Sequence, residues 1–158
     1  MTYSFTTMDS PVGRLTLVAS GKGLAGILWE NDDPKRVPLG AMVEDGDHPV
    51  LAEARRQLEG YFAGERDRFD VPLDFQGTDF QKRVWAALLT IPFGETRSYG
   101  EIAHQLGNAG ASRAVGAANG RNPISIIAPC HRVVGSTGKL TGFAGGLEAK
   151  AFLLELER

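Results

Sequence analysis

The sequence predicts an α+β chain, strands first and helices after, on three observations. Short stretches of alternating apolar residues occupy the opening of the 158 residues. From residue 79 onward, apolar residues recur at the three- and four-residue spacing of helices instead. The charge changes sign at the same place: residues 1 to 78 carry 8 Lys and Arg against 13 Asp and Glu, and residues 79 to 158 carry 9 against 6. A border near residue 77 follows, dividing an N-terminal α/β domain (1–77) from a C-terminal helical domain (78–158).

Tyr3, Phe5 and Thr7 alternate with polar or small neighbours and predict the first strand. Pro11-Val12-Gly13 predicts a turn, and two more strands follow over 14–19 and 24–29 around Gly21-Lys22-Gly23, which makes a meander. Residues 30–48, rich in Asp, Pro and Gly, read as a loop. Val50, Ala54, Leu58 and Tyr61 then predict a helix over 49–62, and 71–75 is a further extended segment.

Beyond the border, Thr78 and Gln81 have capping-box spacing ahead of the stripe Phe80, Val84, Trp85, Leu88 and Leu89, which Pro92 ends. Ser98 and Glu101 repeat that spacing ahead of Tyr99, Ile102, Ala103 and Leu106, with Gly107 placed as the stop. A small-residue helix over 112–120 comes next, and the pair makes a helix-turn-helix pattern. The pattern alone is weak, since many folds join two short helices by a glycine turn. Three features strengthen it: Arg113 near the start of the second helix, the basic set Lys82, Arg83, Arg97, Arg113, Arg121 and Arg132, and a hairpin expected over 132–143 that would serve as a wing. The chain closes on a helix over 147–157 with Ala149, Phe152, Leu153 and Leu156 on its apolar face.

The most informative chemistry lies at Cys130, where an apolar run stops at Pro129 and Cys130-His131-Arg132 follow. A thiol becomes a strong nucleophile when a cation or base lowers its pKa, and an imidazole and a guanidinium are its sequence neighbours. Neighbours in an extended segment point to opposite sides, so spacing alone leaves the contact open. The bland alternative is a small buried hydrophobe. A single cysteine excludes an internal disulfide framework and a cysteine-cluster metal site. The N-terminus lacks the basic and apolar stretches of a signal peptide, and no apolar run approaches the roughly 20 residues of a membrane helix. These features predict a cytoplasmic protein without membrane insertion.

At Pro129-Cys130-His131-Arg132-Val133 the chain resembles the O6-alkylguanine-DNA alkyltransferases, also called methylated-DNA–protein-cysteine methyltransferases. The resemblance extends through Phe93-Gly94-Glu95, Ser98-Tyr99, Arg113-Ala114-Val115-Gly116, Asn122-Pro123, Gly145-Gly146 and Leu153-Leu154, and so spans nearly all of 79–158; the N-terminal part matches more loosely. It implies a small ribonuclease-H-like domain followed by a winged helix-turn-helix domain bearing the active cysteine. It also implies a DNA-repair enzyme that moves the alkyl group of O6-alkylguanine in duplex DNA onto its own Cys130 and is inactivated by doing so. His131 would act through a water as general base, and Glu157, on the last turn, would polarise it. The penultimate position of Glu157 leaves an exposed helix-end charge as its rival reading.

The same resemblance assigns the target base a flipped position, with Arg113 filling the gap and Ala114, Gly116 and Ala117 letting their helix lie close in the minor groove. Tyr99 would contact the flipped nucleotide, Asn122 would link the recognition helix to the cysteine loop, and Val133 would offer backbone to the guanine edge. Ala144 stands where some relatives have serine, so the donor to O6 there is expected to be backbone, and Phe143 replaces a common tyrosine. Ser98 and Arg132 complete the expected DNA-contacting set. No cofactor and no metal are expected, since residues 1–78 hold no cysteine and only His48. The expected partner is double-stranded DNA carrying O6-alkylguanine, met by a monomer, with cooperative assembly on DNA, O4-alkylthymine repair and the range of alkyl sizes left open. Two rivals remain. A Cys-His hydrolase shares the nucleophile and base but should turn over and needs an oxyanion-hole loop that is not evident here. A DNA-binding sensor or regulator without chemistry is opposed by the retained Cys130.

Overall fold

The computed structural model describes residues 2–158. Its first element is a four-stranded sheet of β1 (Tyr3–Met8), β2 (Leu15–Ala19), β3 (Leu24–Leu28) and β4 (Met42–Glu44), in the order β3-β2-β1-β4. The first three strands form the expected antiparallel meander. β4 pairs parallel to β1 inside what the sequence predicts as loop. Its three residues are all exposed, so no alternation of apolar and polar residues could mark it. The extended segment at 71–75 joins the sheet only through a bridge from Leu73 to Leu24.

Helix α1 (Pro49–Phe62) starts where His48 Nδ1 accepts the Val50 N–H at 3.2 Å, and it buries Leu51, Ala54, Gln57, Leu58 and Tyr61. Helices α2 (Asp79–Leu88), α3 (Tyr99–Gln105) and α4 (Ser112–Gly120) pack against one another. Both predicted capping boxes close: Thr78 with Gln81 and Ser98 with Glu101 each exchange two bonds, every such cap contributing about 1 kcal/mol. Gly107, at φ 80°, ends α3 as expected, because only glycine enters the left-handed region without cost. The Trp85 indole donates to Ala118 O at 2.8 Å, which ties α2 to α4 while satisfying a buried N–H.

Two expectations are corrected. The hairpin over 132–143 does not form. Val133–Val134 (β6) pairs parallel with Arg97–Ser98 (β5), and the chain beyond it makes only a tight turn closed by Gly135 N–H to Lys139 O at 2.8 Å. On the last helix, α5 (Leu147–Leu156), Phe152 is exposed while Lys150 is fully buried. The inward face is Ala149, Lys150, Leu153 and, just past the helix, Glu157.

The two halves share their packing. One buried cluster joins the sheet and α1 to Ile124, Ile126, Ile127, Ala149 and Leu153 from the second half. A second gathers α2, α3 and α4 around Cys130 and Val133. The Ile27 N–H donates to Pro123 O at 2.8 Å, so the edge of β3 carries the segment that leads to Cys130.

Candidate active site

Cys130, His131 and Arg132 form one 3-10 turn between Pro129 and β6. Such a turn has three residues per revolution, so its successive side chains diverge by about 120°. Cys130 points into the helical core, whereas His131 and Arg132 both reach Glu157. The neighbours in sequence are therefore not what surrounds the thiol.

Glu157 caps the end of α5 and is buried, with 3% of its surface exposed, which overturns the frayed-terminus alternative. Its carboxylate accepts from Tyr61 Oη at 2.5 Å, His131 Nε2 at 2.8 Å, Arg132 Nε at 2.7 Å and the second Arg132 guanidinium nitrogen at 2.9 Å. Burial would raise its pKa, yet the bonds from His131 and Arg132 outweigh that and hold it at about 2. The carboxylate accepts a hydrogen bond from the Nε2–H of His131 and so leaves Nδ1 as the basic nitrogen, with no protein partner for it among the described residues. Burial also drives the His131 pKa below its ordinary value despite the Glu157 contact, so the ring is neutral at physiological pH.

Arg132 is corrected from a DNA contact to an internal brace. It is 7% exposed, holds Glu157 with two nitrogens and donates to Ile91 O at 2.6 Å with a third. An arginine buried to this extent, with each of its three nitrogens bonded inside the protein, is not a surface group for a phosphate.

Around Cys130 itself, burial pushes the thiol pKa up, opposed by hydrogen bonding from Asn122 and Ser125 and by the charges of Arg36 and Lys150. Burial outweighs these groups, so the resting thiol keeps its proton at neutral pH. Asn122 also closes the loop: its Nδ2 donates to Ala128 O at 2.8 Å and its Oδ1 accepts the Ile124 N–H at 3.1 Å. Within that loop Ile126 holds φ at 75°, a strained conformation for a β-branched residue, pinned by the Ile127 N–H to Ser125 O and the Ala128 N–H to Ile124 O. From the other half, Arg36 is fixed by Asp32 and donates to Asn122 O at 2.8 Å and Gly120 O at 3.2 Å, anchoring the junction between α4 and the cysteine loop.

Val133 is close to the site, but its backbone is already engaged: the N–H bonds Cys130 O and the carbonyl accepts Lys150 Nζ at 2.6 Å. Tyr99 is half-buried with its hydroxyl 2.5 Å from Thr141 Oγ1, and Ser98 serves as the cap of α3. Ala144 lies exposed on the loop before α5. On α4, Arg113, Ala114 and Ala117 are exposed and Gly116 packs toward Tyr99. Arg113 makes no hydrogen bond or ion pair among the described residues. The site therefore gathers Cys130, His131, Asn122 and Glu157 in one interior region, with Arg113 apart on the surface.

Tyr61, Ser125, Lys150 and Arg36 are additions that sequence reasoning missed. Lys150 carried a signal, since it follows Ala149 directly and lies one turn before Leu153, beside the face the helix buries. Tyr61 and Arg36 carried none, because their partners lie 96 and 86 residues away.

Comparison with known proteins identifies both halves of the fold. The model of the 6-O-methylguanine DNA methyltransferase ribonuclease-like domain matches residues 3–75, and that of the same family's DNA binding domain matches residues 79–158. The chain is 55% identical to a Mycobacterium bovis methylated-DNA–protein-cysteine methyltransferase over 156 residues, covering 98% of this chain and 92% of that protein. Against the Methanosarcina acetivorans protein of the same name it is 52% identical, covering 97% of each. The crystal structure of Mycobacterium tuberculosis OGT in complex with DNA superposes with a TM-score of 0.88 at 54% identity, over 99% of this chain and 92% of that one. With both halves of the fold matched by its models and relatives 52–55% identical over nearly the whole length, the chain belongs to the 6-O-methylguanine DNA methyltransferase family.

Proposed function

We propose that Cys130 is the alkyl acceptor of this DNA-repair methyltransferase, and that the substrate is O6-alkylguanine in duplex DNA. The observation that carries the reading is the sealed His131–Glu157 pair behind a lone buried thiol. In the proposed step the thiol proton passes through a water to His131 Nδ1, and the sulfur attacks the alkyl carbon. The S–C bond forms as the C–O6 bond breaks, and guanine takes up a proton as its oxygen leaves. Glu157 holds the imidazolium during the transfer. The S-alkylcysteine thioether is stable and is not cleaved back to the thiol, so each molecule acts once.

Guanine O6 is hidden in the stack, so the base must leave it, at a cost of a few kcal/mol. The exposed Arg113, beside Ala114 and Ala117 on α4, suits a side chain that enters the duplex and fills the gap. Tyr99 and the backbone at Ala144 would then meet the extruded base. The further parts of the reading are a division near residue 77, a monomer that needs no metal or cofactor, and action in the cytoplasm. Among the described residues no helix is long and apolar enough to cross a membrane.

The experiment compares wild type and Arg113→Ala on two substrates, a duplex with one O6-methylguanine and the free base. Wild type should restore one guanine per protein and stop. The variant should lose about 10- to 100-fold in rate on the duplex and little on the free base, since only the duplex requires extrusion. Equal loss on both substrates, or many turnovers per protein, would contradict the reading.

A further inference from the structure

Trp29 lies just past β3, on the N-terminal side of the molecule, yet it makes three contacts with the region around Cys130. Its Nε1 donates to Ser125 Oγ at 3.2 Å. Its ring meets Phe143 edge-on, with centroids 5.3 Å apart and planes at 69°. It also lies so near Gly145 that a Cβ there would stand 2.7 Å from the indole. Both Trp29 and Ser125 are buried.

The direction of the hydrogen bonding matters. An indole N–H only donates, so Ser125 Oγ accepts from Trp29 and keeps its own proton to give. Ser125 lies five residues before Cys130, in the buried loop that Asn122 closes and where Ile126 is held at φ 75°, so the bond from Trp29 fastens that loop from the sheet side.

Resting on the reading that Cys130 is the alkyl acceptor, we propose that Trp29 is a positioning residue for the transfer. Its N–H pins Ser125 and with it the loop that carries Cys130, and its ring sets the height of the Phe143–Gly145 loop before α5. The sheet domain in this way takes part in the chemistry rather than serving only as a scaffold.

The test measures the single-turnover methyl-transfer rate at saturating duplex, the duplex affinity and the thermal midpoint, for wild type, Trp29→Phe, Ser125→Ala and the double variant. Phenylalanine keeps a ring against Phe143 and Gly145 but removes the N–H. The rate of Trp29→Phe should fall about three- to tenfold, the scale of one hydrogen bond, with affinity and midpoint near those of wild type. Ser125→Ala should fall similarly, and the double variant should be no slower than the slower single one, because both interrupt the same chain. Trp29→Ala, which also frees the loop, should be slower still. A wild-type rate in Trp29→Phe, losses that multiply in the double variant, or a loss explained by weaker duplex binding would each overturn the proposal. Methyl uptake by wild type in the same series separates the two ideas: without it the Cys130 reading falls as well, and with it only the Trp29 role is at stake.

Discussion

Glu157→Gln is expected to lower folding stability by about 3–5 kcal/mol at neutral pH, the usual cost of removing one partner from a buried ion pair. For a chain of this size that corresponds to a fall of roughly 10 °C in thermal midpoint. Three residues donate to that carboxylate, and Arg132 would be left charged in the interior without its acid. The effect has a pH signature. The folded-state pKa of about 2 lies below the ordinary 4.5, so the contribution is fully present above about pH 4.5 and disappears as the pH falls toward 2. The difference in midpoint between wild type and variant, followed by calorimetry down a pH series, should shrink in that window. A constant difference would show that the residue acts through packing instead of charge.

The second large effect falls on chemistry. His131→Phe fills a similar volume without a basic nitrogen and should slow methyl transfer at saturating duplex by about 10²- to 10⁴-fold, the range for a positioned general base. Duplex affinity should be little changed, since the ring is fully buried. Wild type should also keep its rate as the pH falls through 6.5. Burial lowers the imidazole pKa below that value, so the base stays neutral until more acidic pH and its limb of the rate profile is displaced downward. Quench-flow measurement across the pH range checks both points; a limb at or above 6.5 would assign the base elsewhere.

Much of this was legible in the sequence because it was local. The capping boxes at Thr78 and Ser98, the stop at Gly107 and the α1 stripe each depend on residues within one or two turns, and the structure reproduces them. The missing hairpin shows where locality fails. Val133 and Val134 were free to pair with either neighbour, and the β5 segment, 36 residues earlier, took the pairing. Arg132 shows the same at the level of charge. Its place in a basic stretch suggested a DNA contact, but the helix end that brings Glu157 beside it converts it into an interior brace. The environment of the thiol was the least legible part. Sequence adjacency pointed to His131 and Arg132, whereas the turn sends both of them to Glu157 and leaves the sulfur in the cluster built by α2, α3 and α4.

The central claim is that Cys130 itself receives the alkyl group, and the mass of the intact protein tests it most directly. Wild type and Cys130→Ser are incubated with duplex carrying a single O6-methylguanine, and with unmodified duplex as control. The account predicts that wild type gains one methyl group on Cys130, stops at one equivalent and gains nothing from the control duplex, while Cys130→Ser gains nothing from either. A methyl group on another residue, or repair of the duplex by Cys130→Ser, would contradict it.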